Sequence, residues 1–231
     1  MDKTIIAIGG GEIKNKTTLK IDEYVANLAK AHAKDKRANA LFIGTASHDR
    51  MPYFNSFRKT YTSVHDIKAE VALMVYGEMD HDKIASKIEN ADAIYVGGGD
   101  TLFMLDTWEK NGITSLLKKA YEEGKIICGL SAGAICWFTD MYTDSDILNG
   151  GTEYKFEKGL GLLDGLCTPH YGERQKDFDD NFQKSDFEKA VAIENDCAVV
   201  FNDGKIVKSI SSGGNAYLIE KSNGELVKTK L

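Results

Sequence analysis

This chain has little proline and no net positive charge. It has only two prolines, Pro52 and Pro169, among 231 residues. Disordered linkers are usually richer in proline, so we expect none between domains. The 35 acidic residues outnumber the 29 Lys and Arg, which gives a formal net charge of −6. Nucleic acids and anionic membranes both require clustered Lys and Arg, so we expect neither as a partner.

The chain also lacks paired cysteines and long apolar runs. None of its four cysteines forms a Cys-x-x-Cys pair, which predicts small core residues in a reducing compartment and no metal site. No apolar stretch approaches the ~18 residues that cross a membrane, and the N-terminal run Thr4–Ile8 is too short for a signal sequence. We therefore expect a soluble, cytoplasmic protein. The cysteines are Cys128, Cys136, Cys167 and Cys197.

Strand and helix signals alternate over the first 130 residues, and 42% of the chain is hydrophobic, enough for a sizeable core. This alternation predicts an α/β fold in one domain over residues 1–231, with a mostly parallel sheet and helices on both faces. The predicted strands are Thr4–Ile8, 40–43, 70–75, 91–96 and Ile126–Leu130. The predicted helices are 21–33, 51–64, 80–89, 101–111 and 114–123.

The C-terminal third has a different pattern. Short apolar runs are separated by the turn sequences Asn202-Asp203-Gly204 and Ser222-Asn223-Gly224, which are typical of hairpins. We expect antiparallel strands that extend the same sheet. The predicted strands are 190–193, 198–201, 206–210, 216–219 and 226–228.

Glycine-rich loops follow several of the predicted parallel strands. Because right-handed crossovers bring the carboxyl ends of parallel strands to one edge, these loops should meet there, where such sheets bind ligands. The loops are Gly9-Gly10-Gly11, Gly44-Thr45, Gly97-Gly98-Gly99 and the segment from Gly129 to Gly133.

The last of these loops, Gly129-Leu130-Ser131-Ala132-Gly133, has the Gly-x-Ser-x-Gly pattern of a nucleophile elbow. Its glycines suit a turn too tight for a Cβ beside the serine. The turn would raise the Ser131 hydroxyl above the sheet and point the Ala132 N–H into the site.

A serine hydroxyl needs a general base, and that base needs an orienting partner. His170 is the best candidate base, because Pro169 fixes the backbone just before it; His48, in a loop at the same edge, is a lesser one. The orienting acid is left open between Glu194, near a predicted strand end, and Asp146, in a polar loop.

Gly97-Gly98-Gly99 offers unobstructed backbone N–H groups for a second oxyanion donor. A phosphate-binding loop is the rival interpretation. The Gly-Lys-Ser/Thr sequence that it requires is absent, and Asp100 and Asp106 would repel phosphate.

Four segments in this order resemble the peptidase E family of serine peptidases, which includes aspartyl dipeptidase and cyanophycinase. The likeness covers most of the chain. The segments are Tyr95-Val96-Gly97-Gly98-Gly99-Asp100-Thr101, Gly129-Leu130-Ser131-Ala132-Gly133-Ala134, Thr168-Pro169-His170-Tyr171 and Ile193-Glu194-Asn195-Asp196-Cys197-Ala198.

The resemblance implies a fold like that of class I glutamine amidotransferases, no cofactor, and a short peptide as substrate for a monomer or homodimer. It implies Ser131 as nucleophile and His170 as base, with Glu194 as the acid and Asp146 as the alternative acid. It also implies an oxyanion hole of Gly98 or Gly99 with Ala132, and substrate contacts from Asp100, Thr101 and Arg174.

The chain departs from aspartyl dipeptidases at two positions. Those enzymes carry Asn where this chain has Asp100, and a pair of arginines after the histidine, of which Arg174 is kept while Asp177 stands for the other. An Asp100 that faced a substrate carboxylate would repel it by about 4 kcal/mol at ~4 Å, which makes aspartate preference doubtful. Two alternatives to a serine peptidase stay open: a catalytically silent binding or regulatory homologue, and an esterase or amidase on the same scaffold.

Overall fold

The computed structural model describes residues 2–77 and 79–231. Its elements alternate as the sequence predicts as far as the fifth strand, and a strand-rich region follows. In chain order they are β1 (Thr4–Ile8), α1 (Leu19–Ala33), β2 (Asn39–Ile43), a 3-10 turn (Thr45–Ser47), α2 (Met51–Ser63), β3 (Lys68–Ala72), α3 (His81–Glu89), β4 (Ala93–Val96), α4 (Thr101–Lys110), α5 (Ile113–Glu122), β5 (Ile126–Leu130), α6 (Ala132–Ile135), β6 (Phe138–Thr143), α7 (Ser145–Leu148), β7 (Lys155–Lys158), β8 (Leu163–Thr168), α8 (Tyr171–Lys184), β9 (Lys189–Ile193), β10 (Cys197–Asn202), β11 (Lys205–Ser211), β12 (Ala216–Ser222) and β13 (Glu225–Lys230).

The first sheet has the strand order β11-β10-β1-β5-β4-β2-β3. Its strands β1 to β5 pair in parallel, and the hairpin β10–β11 joins antiparallel to β1. The carboxyl ends of the parallel strands therefore lie at one edge. The α/β class, the parallel sheet and the antiparallel C-terminal strands are confirmed.

Helices cover both faces of this sheet because the side chains of its strands alternate. On β1, Ile6 and Ile8 pack into a cluster with residues of α1 and α2, such as Val25 and Phe57. The other face of the sheet packs against α3, α4 and α5. There Ile5 and other strand residues join an apolar cluster that contains two tryptophan rings.

A second sheet, with the order β13-β12-β9-β8-β6-β7, corrects one sequence-based expectation. Only β10 and β11 extend the first sheet; β9, β12 and β13 belong to the second. The reason is β8, a strand that we did not predict, because it offers β9 a parallel partner. Helix α8, also unpredicted, lies against this second sheet through Tyr171, Phe178 and Phe182.

The two sheets share one apolar cluster, which contains Ile5 and Ile127 of the first sheet and Met141 and Val191 of the second. This continuity is consistent with the single-domain description, which stays a prediction. All four cysteines are free and buried, as core residues should be. None of the helices in the described part of the chain has the length and apolar character needed to cross a membrane.

Candidate active site

Ser131 lies at a sharp turn between β5 and the short helix α6. Its φ is 54°, a left-handed value that is rare for residues other than glycine, and its N–H donates to the Ile8 carbonyl at 2.9 Å. A Cβ on Gly129 would overlap the Gly133 carbonyl, and one on Gly133 would overlap the Val96 carbonyl. The two glycines therefore let the helix fold back onto the sheet.

His170 reaches Ser131 from the second sheet. It follows β8 and precedes α8 with φ 50° and ψ 35°, and its N–H donates to the Gly9 carbonyl at 2.8 Å. Its Nε2 lies 2.8 Å from Ser131 Oγ, within hydrogen-bond distance. The two side chains that the sequence singles out as nucleophile and base are thus in contact.

The other ring nitrogen of His170 is hydrogen-bonded to a side-chain amide. His170 Nδ1 lies 2.6 Å from Asn195 Oδ1, and Asn195 Nδ2 donates to Glu173 Oε1 on the first turn of α8. With its oxygen toward the ring, the amide accepts a proton held on Nδ1. Nε2 is then the unprotonated nitrogen that can accept the Ser131 proton.

Neither carboxylate expected to orient His170 contacts its ring. Glu194 Oε2 accepts hydrogen bonds from the backbone N–H of Asn215 at 2.8 Å and from its side chain at 3.1 Å. Because successive side chains point in opposite directions in extended chain, Glu194 turns away where Asn195 turns in.

Asp146 is engaged elsewhere as well. Its Oδ1 lies 2.6 Å from Lys155 Nζ, and this hydrogen bond, the largest influence, lowers the pKa of Asp146. Neither Asn195 nor Glu173 is expected from the sequence as a partner of His170. The signal for Asn195 was its place in the Ile193 to Ala198 segment that carries part of the resemblance.

Burial is the main reason that the pKa of His170 is lowered from its usual value, and the Arg174 charge adds to it. The hydrogen bond to Asn195 and the charge of Glu173 oppose this change. The net direction favours a neutral imidazole, which is the form that can act as a base.

Gly10 covers the imidazole, a role that sequence reasoning did not identify. A Cβ there would overlap Asn195 Oδ1 and crowd the His170 ring, and its φ of 159° is extended. The first glycine loop thus belongs to the site by close approach, and its only sequence signal is the run of three glycines.

The expected oxyanion donors lie beside Ser131. A Cβ on Gly98 would be 3.3 Å from Ser131 Cβ, so this backbone adjoins the serine. The Gly98 N–H donates to the Tyr53 hydroxyl at 3.3 Å. Gly99 packs against the Ala46 carbonyl with φ 141°, and the Ala132 N–H is at the first position of α6, where a helix provides no acceptor.

Asp100 and Thr101, expected to contact substrate, are engaged within the protein. Asp100 Oδ1 caps α4 by accepting from the N–H groups of Leu102 at 3.1 Å and Phe103 at 3.2 Å, and its Oδ2 accepts from Asn149 at 2.6 Å. Thr101 is buried, with its hydroxyl 3.3 Å from that of Thr143. The repulsion expected from a free Asp100 carboxylate is thereby reduced.

Arg174 is buried one helical turn after His170. Its Nη1 lies 3.4 Å from the Tyr142 carbonyl and its Nη2 3.4 Å from Asp144, while its guanidinium stacks 4.6 Å from the Tyr154 ring centroid. Within the described residues its Nε has no hydrogen-bond partner. Asp144 therefore offsets the charge of Arg174.

The remaining candidates lie away from the pair. Asp177, where a second arginine is absent, accepts a hydrogen bond from the Tyr142 hydroxyl. His48 is exposed and its ring lies 4.1 Å from that of Phe103. Over residues 2–77 and 79–231, no group of three or more His, Cys, Asp or Glu side chains is placed to hold a metal ion.

Comparison with known families decides the assignment. The model of peptidase family S51 matches residues 5–209 of the chain, which include both Ser131 and His170. The chain belongs to peptidase family S51. Membership in this family supports a hydrolase of peptide bonds, and the resemblance to peptidase E is confirmed.

Two relatives show how similar individual sequences are to this chain. An uncharacterized peptidase, YgaJ, of Bacillus subtilis strain 168 is 28% identical over 235 residues, which cover 99% of this chain and 97% of that protein. Peptidase E of Streptomyces coelicolor is 29% identical over 122 residues, 52% of this chain and 49% of that protein.

The S51 chain also has a solved structural relative. The crystal structure of a peptidase from an acI-B1 Actinobacterium matches with a TM-score of 0.69 at 17% sequence identity, over 99% of this chain and 93% of that one. At this identity the likeness supports the fold alone.

Proposed function

We propose that this S51 peptidase hydrolyses short peptides through an acyl-enzyme on Ser131. The single observation that carries the proposal is the 2.8 Å separation between His170 Nε2 and Ser131 Oγ, at a turn that holds the serine in a left-handed conformation. That distance is within the range in which a general base can accept a proton.

In the acylation step, Ser131 Oγ attacks the scissile carbonyl carbon and its proton moves to His170 Nε2. The tetrahedral intermediate then collapses: the C–N bond breaks, and the proton passes from Nε2 to the leaving nitrogen. In deacylation, His170 takes a proton from water, the hydroxide attacks the ester carbonyl, and Ser131 leaves and regains its proton.

Asn195 is the orienting group of this proposal, in place of Glu194 or Asp146. Its Oδ1 holds the proton on Nδ1, as the asparagine of Cys-His-Asn hydrolases does. An amide is neutral, so it stabilises the imidazolium less than a carboxylate would. Glu173 behind it supplies a negative charge at longer range.

The oxyanion would bind the Ala132 N–H together with a backbone N–H of Gly98 or Gly99. The Gly98 N–H meets the Tyr53 hydroxyl at 3.3 Å, so one donor must exchange that partner for the oxyanion. Of the three residues expected to contact substrate, Asp100 and Thr101 are engaged within the protein. Arg174 carries a positive charge, which Asp144 offsets.

The four free cysteines support a reducing compartment, and we place the enzyme in the cytoplasm as a monomer or homodimer that needs no cofactor.

The test is covalent labelling with a fluorophosphonate, in which Ser131 Oγ bonds to phosphorus and fluoride leaves. Peptide mass mapping should find the adduct on Ser131. Ser131→Ala should abolish it, while Ser115→Ala, at an exposed position of α5, should leave it unchanged. Turnover of a dipeptide library against matched esters then separates a peptidase from an esterase or amidase. Two results together would indicate a silent binding homologue. The folded wild-type protein would give no adduct on Ser131, and the Ser131→Ala variant would still bind peptides.

A further inference from the structure

A cavity of about 290 Å³ lies beside the catalytic pair, between the loop after β1 and the start of α2. Tyr53 forms part of its wall, and the Tyr53 hydroxyl accepts from the N–H of Gly98, which adjoins Ser131. At its other end is Gly11, the neighbour of the Gly10 that covers His170. Two of its lining residues, Tyr53 and Gly11, thus adjoin the backbone segments that contact Ser131 and His170.

Two cations, Lys14 and Arg50, line this cavity, and both are exposed. Across residues 2–77 and 79–231, neither forms an ion pair, whereas several other lysines do, among them Lys155 with Asp146 at 2.6 Å. Glu12, the single acid among the described residues of the lining, accepts a hydrogen bond from Asn15 at 3.3 Å. The cavity therefore has an excess of positive charge.

Lys14 and Arg50 differ from Arg174 because their charges are accessible to a ligand. That guanidinium is buried, stacked on Tyr154 and paired with Asp144, whereas Lys14 and Arg50 present their charges to the cavity and solvent. An arginine guanidinium can hold a carboxylate with two parallel hydrogen bonds, and a lysine adds a point charge. The lining thus suits a ligand with a carboxylate.

We propose that this cavity, the Lys14–Arg50 cavity, is the substrate subsite that binds a carboxylate on the residue that follows the scissile bond. The inference rests on the proposed function of Ser131 and His170. At about 290 Å³, it is at the small end of the ~300–1,000 Å³ range of ligand pockets. It accommodates one residue better than a long chain, so the carboxylate is either the C-terminal one or an acidic side chain.

The probes are dipeptides with every standard amino acid in the first position. Three series of these dipeptides differ in the second residue. It is Ala with a free C-terminus in the first series, Ala amide in the second, and Asp amide in the third, which keeps only the side-chain carboxylate. Binding to Ser131→Ala protein is measured by calorimetry, so that hydrolysis is not needed. We expect free-acid peptides, Asp amides or both to bind about tenfold or more tightly than Ala amides, since hydrogen bonds to charged groups are stronger than neutral ones.

The cations are then tested one at a time on this background. Arg50→Gln and Lys14→Gln should each reduce the preference for a carboxylate, and the double variant should abolish it. Arg58→Gln is the matched control, because Arg58 is an exposed arginine on α2, the helix that begins directly after Arg50, and it lies near the Phe54 ring outside the cavity. Equal binding of acids and amides, no binding of any dipeptide, or an unchanged preference in the double variant would overturn the proposal.

Fluorophosphonate labelling of the wild-type protein separates the two proposals. Labelling at Ser131 without a carboxylate preference would leave the hydrolase standing and remove the subsite. A carboxylate preference without labelling would keep the Lys14–Arg50 cavity as a binding site and remove the hydrolase.

Discussion

At the scale of single residues, the charge of the site depends on which group meets His170 Nδ1. That group is the neutral Asn195 amide, at 2.6 Å, with Glu173 on its far side. Burial and the Arg174 charge lower the pKa of His170, and among the described residues no carboxylate contacts the ring to compensate. These effects favour a neutral imidazole, and in the proposed mechanism the imidazolium would be less stabilised than in a Ser-His-Asp arrangement.

The first prediction concerns Asn195. Asn195→Ala should slow fluorophosphonate labelling of Ser131 by roughly 10²-fold, the lower end of what general-base catalysis contributes, because nothing then orients the ring. Asn195→Asp should instead retain labelling and raise the pKa of His170, since an adjacent carboxylate favours the imidazolium. Labelling rates measured across a pH series check both outcomes. Unchanged rates in Asn195→Ala would remove Asn195 from the mechanism.

The second prediction concerns Arg174. The labelling rate should rise with pH as His170 loses its proton, with a midpoint below the ordinary histidine pKa of ~6.5. Arg174→Gln removes a charge that lowers the pKa of His170, so its midpoint should move upward, whereas Arg174→Lys should keep it near the wild-type value. Thermal unfolding of each variant confirms folding. A midpoint that Arg174→Gln does not move would contradict the electrostatic role.

The contact between Ser131 and His170 was predictable, because a serine at a glycine-bounded turn and a histidine after a proline each stand out in the sequence. Asn195 was not predictable in the same way. An asparagine carries no distinctive chemistry alone, and its adjacent Glu194 is the more obvious orienting group. Only the direction in which each side chain leaves the backbone after β9 distinguishes them, and this direction depends on pairing with a strand 20 residues later, as the hydrogen bond from Asn215 to Glu194 shows.

At the scale of elements, the turn from β5 into α6 depends on two close backbone contacts. Gly133 faces the Val96 carbonyl of β4, and Gly129 faces the Gly133 carbonyl itself. The helix therefore starts directly against the sheet, which places the Ser131 side chain at the edge where the parallel strands end.

The third prediction compares two glycines. Gly133→Ala should destabilise the protein by about 1–3 kcal/mol, the usual cost of overpacking, and should reduce Ser131 labelling because the turn must shift. Gly172→Ala is the control, since a Cβ there meets only ordinary contacts with Glu194 and lies inside α8. It should be neutral or stabilise by about 0.5–1 kcal/mol. Urea unfolding measures both, and equal effects would argue against the close-approach explanation.

Elements with clear periodicity were predictable, and those without it were not. The amphipathic helices α1 to α5 begin and end within three residues of their predicted bounds. Helix α8 was missed because it is mostly polar, with buried Tyr171, Arg174, Phe178 and Phe182 spaced along one face. The strand β6 was missed because it follows α6 after only two residues, so the apolar segment gave no separate strand signal.

At the scale of the whole molecule, the candidate site joins the two sheets. Ser131 follows β5 of the first sheet, whereas His170 and Asn195 follow β8 and β9 of the second. The hydrogen bond from the His170 N–H to the Gly9 carbonyl crosses the same boundary. The geometry of the candidate site therefore depends on how the sheets pack, which is a property of the shared core and not of any single motif.

The buried carboxyl group of Asp22 in α1 lowers the stability of the folded state at neutral pH. It accepts hydrogen bonds from the Thr18 hydroxyl at 2.8 Å and the Tyr61 hydroxyl at 3.3 Å, but no cation is among these partners. Burial outweighs these donors and raises the pKa of Asp22 from 3.8 to about 6. The folded state therefore binds this proton more tightly than the unfolded state does.

The fourth prediction is the pH dependence that follows. Between pH ~4 and ~6 the unfolded state has lost the proton while the folded state keeps it, so this group's contribution to stability falls as the pH rises. Above pH ~6 the loss is complete and amounts to about 3 kcal/mol for a difference of about two pKa units. Asp22→Asn, which stays neutral, should be more stable than wild type at pH 7 by up to that amount, and the advantage should disappear near pH 4.

Urea unfolding of both proteins across this range isolates the Asp22 contribution, because other titrating groups cancel in the difference. Asp180→Asn provides a control of opposite sign. The hydrogen bond to Lys176 lowers the pKa of Asp180, so that carboxylate stabilises the fold above its unfolded pKa, and its contribution is lost as the pH falls. If Asp22→Asn differed from wild type by the same amount at pH 4 and pH 7, the buried carboxyl would not be the group that titrates.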